Sequence, residues 1–320
     1  MIPDLQLQTV PRSLVHRRAV SEVYVTHLGK EGDNDFLVGG QLPRKHFFYN
    51  DHTGAPAGQY DPLLVMEAGR QAAMAVVHQF FGAPLEMAFQ VRTFNGTRPP
   101  TACGSTWEVG TVPADLTMKV WTTREHRKDD RLFGVDMVLD IAADGRPLLT
   151  VDGSFSWVTR EQWATARTAY RTSVGLGGYT EASPTTQRAQ PACVGRRDAD
   201  NVVIGPVVVD GHTGRAALAA DTSHPVLFDH PLDHVPGSFL IEAGRQAGLA
   251  LLLERNSGRQ EPLHRVASTF SRFVELDVPA ECVVTEVASD ATGTVVRCDV
   301  EQFGSTAASL ELTFGPEFER

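Results

Sequence analysis

The hexapeptide EAGRQA occurs at residues 67–72 and again at 242–247, each time inside an otherwise apolar run. Burying a carboxylate or a guanidinium without a partner costs several kcal/mol per ion. A chain that does so twice, at matched places, is expected to be two copies of one unit that keep these groups for a purpose. The flanks support this. HFFYNDH at 46–52 matches HPVLFDH at 224–230, and DPLLVMEAGRQAAMAVVHQFFG at 61–82 matches PGSFLIEAGRQAGLALLLERNSG at 236–258. The offset falls from 178 to 175 between the two blocks, so the intervening loop is three residues longer in the first copy.

Each copy reads as strands, one long helix, then more strands. VYVT and FLVGGQL precede the first helix, and VVIGPVVVD and RAALAAD precede the second. TWEVGTV, LTMKVWTTRE, FGVDMVLDIAA and LLTVDGSFSWV follow the first, and ECVVTEVAS, GTVVRCDVEQ and AASLELTF follow the second. Turn signals such as DGRP separate some of these runs. Each helix spans about 20 residues and is apolar nearly all round, the pattern of a buried helix. Ala68, Gly69, Ala72 and Ala73 let a sheet approach closely. The predicted fold is α+β, in tandem: two curved antiparallel sheets, each wrapping a long central helix. A chain of 320 residues suits two domains. The expected boundaries are 13–160 and 198–320. The Gly-, Ser-, Thr- and Pro-rich stretch within 161–197 forms a linker. Its GLGG lacks the strand-to-helix setting of a dinucleotide loop.

Composition narrows the function classes. The net charge of −10 gives no general attraction to nucleic acid or anionic membranes. Two local basic groups, Arg12/Arg17/Arg18 and Arg124/His126/Arg127/Lys128/Arg131, read first as solvated loops. Cys103, Cys193, Cys282 and Cys298 show no CxxC pairing, which points to free thiols and a reducing, cytoplasmic setting. The opening MIPDLQLQTVPRSL has no apolar core of a secretory leader. No cysteine cluster supplies metal ligands, so neither a metal nor another cofactor is expected.

Glu67 and Glu242 fall in the first turns of their helices. Arg70 and Arg245 lie at i+3, and Gln71 and Gln246 at i+4, so each trio shares one helix face. Desolvation is expected to raise the carboxylate pKa toward that of a general base. A guanidinium beside it suits a phosphorylated or carboxylated ligand, through its bidentate fork. His52 and His230 lie on the loops ahead of the helices. Backbone N–H groups at Gly237 and Ser238 can face an oxyanion. The bland alternative makes each Glu–Arg pair a structural ion pair. His46 and His224 read as structural, and Asp51 and Asp229 as groups that orient the loop or cap a turn. Asp233 and His234 occur only in the second copy.

Two resemblances rest on these residues. His230, Pro236-Gly237 and Glu242-Ala243, with STFSRFVELDVPA at 268–280, resemble the hot-dog dehydratases that act on acyl carrier protein thioesters. LPRKHFFYNDH, YDPLLVMEAGRQA and FDHPLDHVPGSFLIEAGRQA resemble the two repeats of the AfsA-type family of γ-butyrolactone and butenolide biosynthesis. The resemblance implies a double hot-dog fold and a cytoplasmic acyltransferase. It would pass a β-ketoacyl group from acyl carrier protein or coenzyme A to a hydroxyl of dihydroxyacetone phosphate. By dehydratase analogy His230 serves Glu67 and His52 serves Glu242. A fused pair of this kind is expected to be a monomer or a weak homodimer. In the first copy Asp61-Pro62 replaces Pro236-Gly237, a departure from the dehydratase pattern. A thioesterase or dehydratase using the same His and Glu, and a non-catalytic acyl- or lactone-binding module, are the competing readings.

Overall fold

The computed structural model describes residues 5–99, 107–180, 186–255, 261–290 and 293–315. These form two compact units, one of residues 5–49 and 58–163, the other of residues 50–57 and 164–315.

The first unit contains β1 (Val25–Lys30), β2 (Asp35–Leu42), α1 (Pro62–Phe80), β3 (Ala88–Thr97), β4 (Ala114–Lys128), β5 (Arg131–Ala143) and β6 (Arg146–Val158). Its sheet runs β1-β2-β4-β5-β6-β3, with every neighbouring pair antiparallel. Asp61 starts α1, accepting the Leu63 N–H at 2.9 Å, and Pro62 follows with its φ already set for a first helical residue. Every residue from Leu63 to His78 except Arg70 is buried. A Cβ added to Gly69 would lie 3.3 Å from Ile141 and 3.4 Å from Val151, so this glycine lets α1 settle closely on β5 and β6.

The helix α2 (Arg160–Ser173) begins at the end of the first unit. The second unit then holds β7 (Val208–Asp210), β8 (Thr213–Ala217), α3 (Gly237–Arg255), β9 (Leu263–Phe270), β10 (Glu281–Asp290), β11 (Gly293–Gln302) and β12 (Ser305–Phe314). The order β9-β12-β11-β10-β8-β7 repeats the order of the first unit, again antiparallel throughout. All residues of α3 from Phe239 to Leu252 are buried. Here the approach is tighter. A Cβ on Gly244 would fall 2.5 Å from Leu310 and 3.4 Å from the Cys298 sulfur.

Several local expectations differ from the structure. The segment read as linker opens with the helical residues 160–173, and 186–204 carry 3-10 turns and an isolated bridge at Ile204. Buried Arg167 and Arg171 anchor α2. Arg167 pairs with Asp233 and Glu275, and Arg171 with Glu275 and Asp277. Of TWEVGTV, only a bridge at Glu108 is sheet-like, while the unanticipated strand β3 forms from AFQVRTFNGT. VVIGPVVVD contributes only β7, because Gly205 and Pro206 interrupt it. Cys103 lies outside the described residues; Cys193, Cys282 and Cys298 are free thiols. Among the described residues no helix is long and apolar enough to cross a membrane.

Candidate active site

The helical spacing does what the sequence predicts and brings Glu, Arg and Gln together on each helix. In the first unit Arg70 grips Glu67 through a fork, Nε to Oε2 and Nη2 to Oε1, both at 2.8 Å. Gln71 donates to Glu67 Oε1 at 2.7 Å and to the Glu22 carbonyl at 2.7 Å, and its own carbonyl accepts the Tyr24 N–H at 2.9 Å. In the second unit Arg245 Nη2 pairs with Glu242 Oε2. Gln246 donates to Glu242 Oε1 at 2.6 Å and to the Asn201 carbonyl at 2.8 Å, and accepts the Val203 N–H at 3.0 Å. Gln71 and Gln246 thus tie each carboxylate to a short 3-10 turn, Val20–Glu22 or Ala199–Asn201, and the residues that follow it.

A second arginine in each cluster was not anticipated. Arg17 meets Glu67 Oε1 at 2.7 Å through Nη2 and 3.0 Å through Nε. Arg196 meets Glu242 Oε1 at 2.7 Å and 3.1 Å through the same two nitrogens. Arg17 therefore does not belong to a solvated basic loop, and Arg196 is not part of an exposed linker. Both follow a short 3-10 turn, Arg12–Val15 and Pro191–Val194, closed by a left-handed residue, His16 at φ 52° and Gly195 at φ 74°. The signal was present as VHRR at 15–18 and VGRR at 194–197, an offset of 179 beside those of 178 and 175.

The second arginine reverses the expected electrostatics. Burial alone pushes the Glu67 pKa up. Arg17 and Arg70, with hydrogen bonds from Arg70 and Gln71, more than offset it and hold the carboxyl at about 2. Glu67 is a permanently ionised anchor between two cations and not a base poised near neutrality. The geometry of Glu242 is the same in kind.

The two clusters differ in charge at a matched position. Glu22 in the first unit corresponds to Asn201 in the second. Glu22 takes hydrogen bonds from the Tyr24 hydroxyl at 2.8 Å and from His46 Nε2 at 3.2 Å. Asn201 Oδ1 lies 3.2 Å from His224 Nε2. His46 and His224, read from the sequence as structural, are both buried. Each accepts two backbone N–H bonds at Nδ1, from Phe48 and Tyr49 and from Val226 and Leu227, so Nε2 carries the proton. Burial and then the charge of Arg196 press the His224 pKa down to about 4.

Of the loop residues, Asp51 accepts N–H bonds from Arg197, Asp198 and the Asn201 amide, which pins the 50–57 segment within the second unit. His52 follows, bridging to Arg196, and its Nε2 lies 3.3 Å from Arg245 Nη1. Because a guanidinium only donates, His52 Nε2 is the acceptor. His52 thus reaches Glu242 through Arg245. His230 is 44% exposed, with Nδ1 3.8 Å from buried Asp229. Asp233 and His234 pair at 2.8 Å, and Asp233 also binds Arg167, so this pair belongs to the anchorage of α2. Gly237 and Ser238 open α3, where first-turn N–H groups have no acceptor within the helix. A Cβ on Gly237 would sit 3.1 Å from the Phe270 ring. No group of three or more metal-ligating side chains occurs among the described residues.

Comparison with known proteins agrees with this doubled architecture. A 2-oxo-3-(phosphooxy)propyl 3-oxoalkanoate synthase of Streptomyces virginiae is 34% identical over 275 residues, 85% of each chain. A protein of the same name from Streptomyces coelicolor is 29% identical over 323 residues, 97% of this chain and 92% of that one. Among solved structures, a thioesterase-like protein from Novosphingobium aromaticivorans superposes with a TM-score of 0.52 at 13% identity, covering 91% of this chain and 98% of its own. The dehydratase domain of RzxB from Pseudomonas fluorescens gives 0.51 at 11% identity, with the same coverage. These likenesses show the hot-dog fold. The A-factor biosynthesis hotdog domain matches residues 3–159 and 179–316, leaving only the α2 region between the repeats, and the chain belongs to that family.

Proposed function

We propose that this protein is an acyltransferase that moves a 3-oxoacyl group from a thioester to the hydroxyl of dihydroxyacetone phosphate. The ester product is a precursor of a γ-butyrolactone or butenolide signal. Coenzyme A and acyl carrier protein present the same thioester on the same phosphopantetheine arm, and either serves as donor. Both substrates are cytoplasmic metabolites, and we assign the enzyme to the cytoplasm.

The observation that carries this reading is the carboxylate clamped by two guanidiniums and a carboxamide, made twice. A dehydratase or thioesterase of this fold asks its carboxylate to exchange a proton or to activate water. Glu67, held at about 2, is unsuited to that. What the clusters offer instead is preorganised positive charge, which fits an acceptor that carries a phosphate.

In this scheme Glu67 and Glu242 orient the arginines, one of the two helix arginines, Arg70 or Arg245, supplies donors for the phosphate, and Gln71 and Gln246 hold the carboxylates. The loop histidine His230, 44% exposed, takes the hydroxyl proton as the hydroxyl oxygen attacks the thioester carbonyl. The Gly237 and Ser238 N–H groups face the oxyanion that forms. The C–S bond then breaks, and the departing thiolate takes the proton back from the histidine.

Mass spectrometry of purified protein with a 3-oxoacyl-coenzyme A and dihydroxyacetone phosphate tests the reading. The expected product is the phosphorylated keto ester. Release of the free 3-oxo acid alone would instead mark a thioesterase.

A further inference from the structure

The two clusters are built from the same residue types, yet they are not equally open. Along α1 the single break in burial between Leu63 and His78 is Arg70, whereas α3 is buried without a break from Phe239 to Leu252, Arg245 included. The Arg70 side chain is 26% exposed and that of Arg245 is 4%. Their donors are also used differently. Arg245 spends Nη2 on Glu242 and Nη1 on the ring nitrogen of His52. Arg70 spends Nε and Nη2 on Glu67, with Nη2 also 3.3 Å from the Val15 carbonyl, and turns Nη1 to the thioether of Met74. A thioether is a weak acceptor. A phosphate oxygen arriving there exchanges a weak hydrogen bond for a charge-assisted one. The matched residue in the second unit is Leu249.

The surroundings differ as well. Glu22, matched by the neutral Asn201 in the second unit, adds a carboxylate to the first cluster, and its hydrogen bonds go to Tyr24 and His46. Arg70 is the outward cation of the group.

We propose that the clusters divide their roles: Arg70 in the first unit receives the phosphate of the acceptor through its Nη1 end, and the Glu242–Arg196–Arg245 cluster is a closed copy that holds the second unit together. This assignment rests on the acyltransferase reading above. The ligand class is a phosphate monoester.

The test compares KM for dihydroxyacetone phosphate and for unphosphorylated dihydroxyacetone, read from ester formation, together with Tm. Arg70→Gln is expected to raise the first KM about tenfold or more relative to the second, with a smaller loss of Tm than Arg245→Gln. Arg245→Gln is expected to lower Tm while leaving the ratio of the two KM values at its wild-type level. If Arg245→Gln does not fold, Arg245→Lys is read for the same ratio. A ratio that shifts with the Arg245 variants and not with Arg70→Gln overturns the assignment, as does an equal shift in both. Either result leaves the acyltransferase reading intact. Wild-type protein that forms ester from neither acceptor overturns both.

Discussion

Arg196→Met provides the most direct measure of what the second arginine does. The side chain of Arg196 is 1% exposed and that of Glu242 is not exposed at all. The substitution removes the contacts from Nε and Nη2 to Glu242 Oε1, at 3.1 and 2.7 Å, and leaves the carboxylate to Arg245 and Gln246. Breaking a buried pair by removing one partner costs about 3–5 kcal/mol. The remaining partners of Glu242 favour the lower end, roughly 3 kcal/mol. For a unit of this size each kcal/mol shifts Tm by about 2–4 °C, so a drop of roughly 6–12 °C is expected. Arg197→Met is the control. Arg197 is the exposed neighbour whose backbone N–H, not its side chain, serves Asp51, and its replacement is expected to stay within about 0.5 kcal/mol of the wild type. Scanning calorimetry of the two variants, with Glu242→Gln and the double variant completing a cycle, isolates a coupling of about 1–3 kcal/mol. A Tm for Arg196→Met indistinguishable from that of Arg197→Met would refute the buried-cluster argument.

The remaining predictions concern acid stability and the helix–sheet contacts. His224 has a folded pKa of about 4 against an ordinary 6.5, so the unfolded chain takes the proton first. Its contribution is present above pH 6.5 and is lost as the pH falls toward 4, by up to about 3 kcal/mol. Urea midpoints measured from pH 7 to 4 should fall less steeply in His224→Gln than in the wild type; parallel curves would contradict the assignment. Gly244→Ala should be less stable than Gly69→Ala by at least about 1 kcal/mol, because the new methyl meets Leu310 at 2.5 Å in one helix and Ile141 at 3.3 Å in the other. Equal melting temperatures for the pair would show that Leu310 moves aside freely.

The parts that depend on local periodicity and on duplication were legible in the residues alone. The repeated EAGRQA blocks, their apolar flanks and the strand-like runs around them lead to two α+β units with a buried helix of 19 residues in each. Spacing at i+3 and i+4 places Glu67, Arg70 and Gln71 together, and likewise Glu242, Arg245 and Gln246, because a helix turn is a local constraint. What those groups become depends on contacts distant in the chain. Arg17 and Arg196 lie 50 and 46 residues before their carboxylates, and no local pattern states that a turn ahead of the first strand folds back onto the helix. Their arrival turns a carboxylate that burial would have made more basic into one ionised at about 2. The same holds for the segment read as linker. Composition makes it look like a tether, yet long-range ion pairs from Arg167 and Arg171 to Asp233, Glu275 and Asp277 fasten its helix. The difference between Arg70 and Arg245 is of this kind too. Identical hexapeptides specify identical side chains, but exposure and hydrogen-bond partners come from what the rest of the chain packs against them.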